Sequence, residues 1–374
     1  MKHIFIGCVA LALLVGFLAL SGVWHKNAPI KIGYISPLSG DASTYGEPMR
    51  RAAALAVDEI NAAGGISGRP LQILYEDSRC VGRDALSAVK KLASVDGVRI
   101  ISGFTCAEDV LTSAAEIEKN KILALAPGAS GPSVSGAGDY IFQINPSATI
   151  ATQKLVEVMR DEHDRVAVVS ENTGFATDVR DYFADHIFEN GGSVVANETF
   201  QPETKDFRSL LLKIKNTQPT AIFVNPQTEI AGGLIMKQAR ELGIDATFFG
   251  LDTLSGPTAI ETAGPAAEGL VLITVPDLDS ENNLKAKQFL NVYGEEYGAP
   301  PFPLYLAAAY DSIYIIAQAV TAVGDDPTRI KEYLYHMPVF VGAVGTYHFD
   351  HNGDLVGLNF VVKLVSNGAL VIVL

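Results

Sequence analysis

The sequence predicts an α/β protein built as two doubly wound parallel-sheet lobes joined by three crossover segments, and three observations carry that expectation. Apolar runs of strand length alternate with helix-period segments from Ile30 to Thr274, the pattern of a parallel sheet with helices on both faces. At 374 residues the chain is too long for one compact core of ordinary size, so two domains are expected. Three connecting segments divide the alternation: Asn145-Pro146-Ser147, Val275-Pro276, and the Gly- and Val-rich stretch from Pro338 to Gly345. The expected division places residues 29–144 and 276–338 in lobe 1, residues 145–275 and 339–374 in lobe 2, and residues 1–24 in an N-terminal leader.

The first unit illustrates how the elements are assigned. Ile30–Ser36 is a short apolar run ended by Ser-Pro, which suits a buried parallel strand. Leu38 to Gly46 is rich in Ser, Gly and Thr and reads as a loop carrying Ser39 and Tyr45. Pro48 suits a first helical turn, where its missing N–H costs nothing, and Met49, Ala52, Ala53, Ala56 and Ile60 then repeat at helical spacing. Gly64-Gly65 ends that helix, because glycine accepts the left-handed cap. The same reasoning puts strands at Leu71–Tyr75, Val98–Ser102, Ile122–Ala126, Val166–Val169, Ser193–Thr199, Ala221–Val224, Thr247–Gly250 and Leu270–Thr274. The C-terminal part differs: Gly345–Asp350 and Val356–Val365 flank His351-Asn-Gly-Asp354 as antiparallel strands about a turn.

A formal net charge of -14 argues against nucleic acid and anionic lipid as partners. Ile4 to Val23 carries no charge and follows Lys2. It serves as a secretory signal cleaved after Ser21 or as an uncleaved anchor of 20 residues. Either way the remainder lies outside the cytoplasm, periplasmic or extracytoplasmic. Cys8 belongs to the leader, leaving Cys80 and Cys106 as an even pair in an oxidising compartment. A disulfide between them, or two separate buried thiols, is then the expectation.

Several pieces in order give the chain its resemblance to a known family: Ile60-Asn-x-x-Gly-Gly-x-x-Gly68, Leu71, Glu76-Asp-Ser-Arg-Cys80, Lys205-Asp-Phe207, Lys237-Gln-Ala-Arg-Glu-Leu-Gly243, Ala267-Glu-Gly-Leu270 and Phe349-Asp-x-Asn-Gly-Asp354. From about Ile30 onward it resembles the leucine/isoleucine/valine-binding proteins, the branched-chain amino-acid receptors of ABC importers, which have the type I periplasmic binding fold. The resemblance implies a clamshell whose ligand sits between the lobes, with the family's disulfide falling on Cys80 and Cys106.

It also implies a site. The carboxylate of an amino acid would meet the start of the helix at Thr105-Cys-Ala107, where free N–H groups and the helix dipole favour an anion. Ala107 stands where the family has Ser, so the backbone N–H survives and the hydroxyl does not. Ser130, in the loop Pro127-Gly128-Ala129-Ser130, would contact the ligand by hydroxyl and N–H, and the Gly128 carbonyl would accept from its ammonium. Asp252 falls where the family carries an acid for that ammonium. Tyr45 and Phe175 match aromatics of the two lobes, and Thr228 lies near a third contact.

Other chemistries are set aside. No glycine-rich phosphate loop follows a strand. His348-x-x-His351 has metal-binding residue types, but positions i and i+3 of a strand face opposite ways. No His falls in an expected cleft loop, so no nucleophile has a base. The reading is therefore a monomeric binding protein without catalysis, metal or cofactor. Its expected partners are a small-molecule ligand, an amino acid of the branched-chain type, and a membrane permease. A sensory module of the same fold, or a binder of aromatic acids or short amides, is the alternative.

Overall fold

The computed structural model describes residues 28–373, apart from 41, 161, 276, 277 and 279–282. The leader with Cys8, and Pro276 of the second expected crossover, lie outside the described residues. The first half alternates as expected: β1 (Ile30–Ser36), α1 (Ser43–Ala62), β2 (Leu71–Asp77), α2 (Gly82–Ser94), β3 (Ile100–Ser102), α3 (Ala107–Asn120), β4 (Leu123–Ala126) and β5 (Ile141–Gln143). These strands form one sheet in the order β2-β1-β3-β4-β5. All its pairings are parallel, with Ile30 opposite Leu71 and Ser36 opposite Asp77.

The second series runs α4 (Ala148–Met159), β6 (Arg165–Glu171), α5 (Gly174–Glu189), β7 (Ser193–Phe200), α6 (Arg208–Asn216), β8 (Ala221–Asn225), α7 (Glu229–Glu241), β9 (Thr247–Leu251), α8 (Pro257–Ala263) and β10 (Val271–Thr274). It is followed by α9 (Leu284–Tyr297), α10 (Pro303–Val323), α11 (Pro327–His336), β11 (Phe340–Val341), β12 (Thr346–Phe349), β13 (Leu355–Val356), β14 (Val361–Ser366) and β15 (Ala369–Ile372). The second sheet has the order β15-β14-β10-β9-β8-β6-β7. In it β14 joins antiparallel to β10, and β15 antiparallel to β14.

Each sheet has an apolar cluster on both faces, which is why its strands read as continuous hydrophobic runs. In β1, Ile32 and Tyr34 face one cluster and Ile35 the other. In β6, Ala167 and Val169 face one cluster while Val166 and Val168 face the opposite one. Burying each such aliphatic side chain contributes about 1.5–3 kcal/mol. Helix α10 is long and apolar enough to cross a membrane by composition, yet most of it is buried. It belongs to the core of the first sheet with α1, Phe289 and Tyr293.

Three expectations need correction. Helix α1 begins at Ser43, so Tyr45 lies in a helical turn rather than a loop, and Pro48 sits inside the helix. The early start is built on Gly46, where a Cβ would meet the Pro37 carbonyl oxygen at 2.0 Å. Second, Pro338 to Gly345 is not the third crossover. Phe340, Ala343, Val344, Tyr347, Phe349 and Leu355 bury themselves in the core of the first sheet. Asp311 of α10 accepts N–H bonds from Ala343 (2.7 Å) and Val344 (2.9 Å), pinning the segment there. The chain passes to the second sheet only between Val356 and Val361. Third, the expected second strand of the terminal pair is split: β13 pairs with β12 through Phe349 and Leu355, while β14 joins the other sheet.

Candidate functional site

Strand order reverses beside β1 and β3 in one sheet and beside β6 and β8 in the other. Loops leaving the carboxyl ends of strands at such points form ligand crevices. The loops of the two sheets meet around a concave cavity of about 530 Å³ of empty space, open solvent at its mouth included. The first lobe supplies Ser130, Leu304 and Tyr305, and the second supplies Phe175, Asn225, Leu251, Asp252, Ile273 and Thr274. Pro146, Val275 and Phe360 also line it, one from each connection between the sheets.

Of the residues expected at a site, Ser130, Phe175 and Asp252 line this cavity. Asp252 begins a short 3-10 turn at the end of β9. Its Oδ1 accepts from Thr274 Oγ1 at 2.6 Å and from Ser255 Oγ at 3.2 Å. Among the described residues its Oδ2 makes no hydrogen bond. Ser130 is buried, and its carbonyl accepts the N–H of Ala148 at the start of α4. Phe175 stands in the first turn of α5.

Tyr45 lies beside the cavity rather than in its wall. Its ring stacks on Phe302 at 4.2 Å and meets Tyr305 edge-on at 6.3 Å. Burial, then the carboxylates of Glu229 and Glu171, raise its hydroxyl pKa. Ala107, Gly128, Ala129 and Thr228 do not line the cavity. Ala107 opens α3, whose Cys106 provides no side-chain cap. The N–H groups of Gly128 and Ala129 turn inward to the Phe104 carbonyl. A Cβ at Gly128 would come within 2.6 Å of Thr105 Cα, so glycine lets the loops after β3 and β4 touch. Thr228 caps α7, its Oγ1 accepting from the Ala231 N–H.

The structure adds Asn145, Asn225, Thr274 and Tyr305 to the wall. Asn225 Nδ2 donates to the Ala176 carbonyl at 2.7 Å and to Ser170 Oγ at 3.0 Å. A carbonyl can only accept, so the amide orientation is fixed. Asn225 and Thr274 are the last residues of β8 and β10. Their place at strand carboxyl ends was the available signal. Tyr305 pairs with the Asn145 side chain and feels the Asp252 charge; burial, then that charge, raises its pKa. No local pattern announces it, since it arrives from α10.

Below the start of α3, Cys80 and Cys106 form a disulfide with Cα atoms 5.6 Å apart. Asp109 lies beside it, fully buried, accepting from Ser78 Oγ at 2.7 Å. Its Oδ1 has no partner, and burial first pushes its pKa up to about 6. These three residues are the one group among the described residues that could gather on a metal, and its two sulfurs are already bonded to each other. The cavity wall holds one carboxylate, several neutral hydrogen-bonding groups and no His. Such a wall can bind a cationic head with an apolar body.

Comparisons with known proteins agree with this geometry. A family model described as periplasmic binding protein matches residues 29–369. A leucine-, isoleucine-, valine-, threonine- and alanine-binding protein of Pseudomonas aeruginosa is 26% identical over 342 residues, 89% of each chain. The branched-chain amino acid transporter substrate binding protein LivJ of Streptococcus pneumoniae, solved with isoleucine, is 27% identical with a TM-score of 0.76. That match covers 92% of this chain and 99% of LivJ. A solute binding protein of an ABC transporter from Rhodopseudomonas palustris, solved with 3,4-dihydroxy benzoic acid, shares the fold at 20% identity and a TM-score of 0.77. There the coverage is 92% of this chain and 95% of that one.

Proposed function

The chain belongs to the periplasmic binding protein family, and from that premise we propose that it captures an amino acid of the branched-chain type between its lobes and delivers it to an ABC importer. The observation that carries the choice of ligand is Asp252. One of its oxygens is held by Thr274 and Ser255, the other accepts no hydrogen bond from a described residue, and the side chain belongs to the cavity wall. A carboxylate so placed calls for a ligand ammonium, because charge-assisted hydrogen bonds are about twice as strong as neutral ones.

The remaining roles follow from position. Ser130 supplies a hydroxyl and Tyr305 a phenol from the first lobe. Leu251, Ile273, Leu304 and Phe360 surround the apolar part of the ligand. The uncapped N-terminus of α3 at Ala107, with the Gly128 and Ala129 loop beside it, is the first-lobe element offered to the carboxylate. Tyr45 and Phe175 flank the entrance. Closure turns on the three connections that contribute Pro146, Val275 and Phe360 to the wall, so a ligand there biases the hinge directly. The permease reads the closed form, outside the cytoplasm, and no bond is made or broken.

The test is a thermal-shift panel on residues 25–374 with each amino acid, several aromatic acids and small amides at millimolar concentration. A micromolar ligand at a thousandfold excess adds about 4 kcal/mol, several degrees for a chain of this size. Shifts confined to aliphatic amino acids support the proposal. Silence from every amino acid, with a response to an aromatic acid, overturns it.

A further inference from the structure

A second contact spans the two lobes, at the rim of the cleft rather than in the cavity. Ser133 lies on the first-lobe loop three residues beyond Ser130, in the short 3-10 turn Pro132–Val134. Asp178 lies on α5 of the second lobe, one helical turn beyond Phe175. The Ser133 N–H donates to Asp178 Oδ2 at 2.6 Å, and the Ser133 hydroxyl donates to Asp178 Oδ1. Both carboxylate oxygens are therefore engaged by one residue of the opposite lobe.

Gly131 shows that this contact has a steric requirement of its own. Its backbone is extended, φ −68° and ψ 155°, a conformation open to any residue. Yet a Cβ there would come within 2.8 Å of Asp178 Oδ2 and 3.5 Å of the Phe175 ring. The glycine is thus accounted for by the approach of α5 and not by the local turn. The same helix end meets the first lobe again at Gly174, where a Cβ would lie 3.3 Å from Glu108 Oε1.

We infer that Asp178, Ser133 and Gly131 form a latch that holds the lobes closed and sets Phe175 over the cavity. Asp178 is a positioning residue: it acts on ligand through Phe175 and the closed state. This step rests on the cleft being the ligand site, but the latch itself is readable without any ligand.

The experiment is a distance measurement by double electron–electron resonance between spin labels at Lys119→Cys on α3 and Asp185→Cys on α5, both exposed, with the native disulfide left oxidised. It is made on the otherwise unchanged chain and on Asp178→Ala, Asp178→Asn and Gly131→Ala, each with and without L-leucine. Melting curves of the same samples control for folding. The expected result is a short-distance population in the parent chain that shrinks in Asp178→Ala and Gly131→Ala, and less in Asp178→Asn. L-leucine binding should weaken about tenfold, through faster dissociation at nearly unchanged association. Identical distance distributions in the parent, Asp178→Ala and Gly131→Ala would overturn the latch, as would a parent chain with no short-distance population in either condition. A short-distance population that responds to the substitutions but not to L-leucine leaves the latch standing and counts against the choice of ligand.

Discussion

Two aspartates, one inside the first lobe's long helix and one in the second lobe facing the start of that helix, show what separates a ligand-seeking acid from a structural one. Asp311, inside α10, is buried and fully engaged. It accepts from the Ala343 and Val344 N–H groups and, at 3.0 Å, from the Tyr347 hydroxyl. A Cβ at Gly342 would sit 2.1 Å from its Oδ2, so the neighbouring backbone is shaped around the carboxylate. Burial still pushes its pKa up to about 6. Asp252, across the cleft from Tyr305 at the start of the same helix, is half-buried and only half engaged. The residue type is identical; the number of donors supplied by the protein differs. A carboxylate with all its donors holds a fold together, and one with a vacant oxygen over a cavity waits for a donor from outside.

The comparison can be broken by substitution. The largest effect is expected for Asp252→Ala: about a thousandfold weaker binding of amine-bearing ligands by calorimetry, about 4 kcal/mol, with unfolding free energy changed by less than about 1 kcal/mol. Comparable loss of stability in that variant would show Asp252 to be structural too. Asp311→Asn should do the reverse. Its amide NH₂ would confront a backbone N–H, costing about 3 kcal/mol in urea unfolding while any folded protein still binds. Asp109 sharpens the contrast, since among the described residues one of its oxygens is buried without a hydrogen-bond partner. Its folded pKa is raised to about 6, so its contribution to stability is fully present below about pH 4 and is lost as pH rises through about 6. Asp109→Asn should therefore gain about 2 kcal/mol on the parent chain between pH 4 and 7.5, read as the difference between urea curves at the two pH values. The smallest effect is expected for Thr274→Val, which frees Asp252 to rotate. Ligand affinity should fall five- to tenfold, about 1 kcal/mol, with little change in melting.

Much of the fold was legible because local signals and tertiary structure agree. β1 falls on Ile30–Ser36 as read, and Gly64 and Gly65 end α1 with positive φ angles of 102° and 70°. The failures share one cause, which is contact with distant chain. Pro48 looked like a helix start, but packing of Gly46 on Pro37 moved the start earlier. β5, only Ile141–Gln143, is specified by its parallel pairing with β4 rather than by its own pattern. The segment from Pro338 to Gly345 looked like a crossover because nothing local reveals Asp311 as its anchor. At the site, Ser130, Phe175 and Asp252 were legible through resemblance and line the cavity. Tyr305 was not legible, because α10 brings it from a region that reads only as apolar helix.

The three passages of the chain between the lobes also govern the order in which the molecule can be completed. The core of the first sheet needs residues from Phe340 to Leu355. The second sheet takes its edge from Val361–Ser366 and Ala369–Ile372. Neither lobe is a continuous stretch that could finish folding while the rest is still being made, as N-terminal domains ordinarily do. Both wait for the last tenth of the polypeptide. By this topology neither lobe can close its core until synthesis of the chain is nearly over.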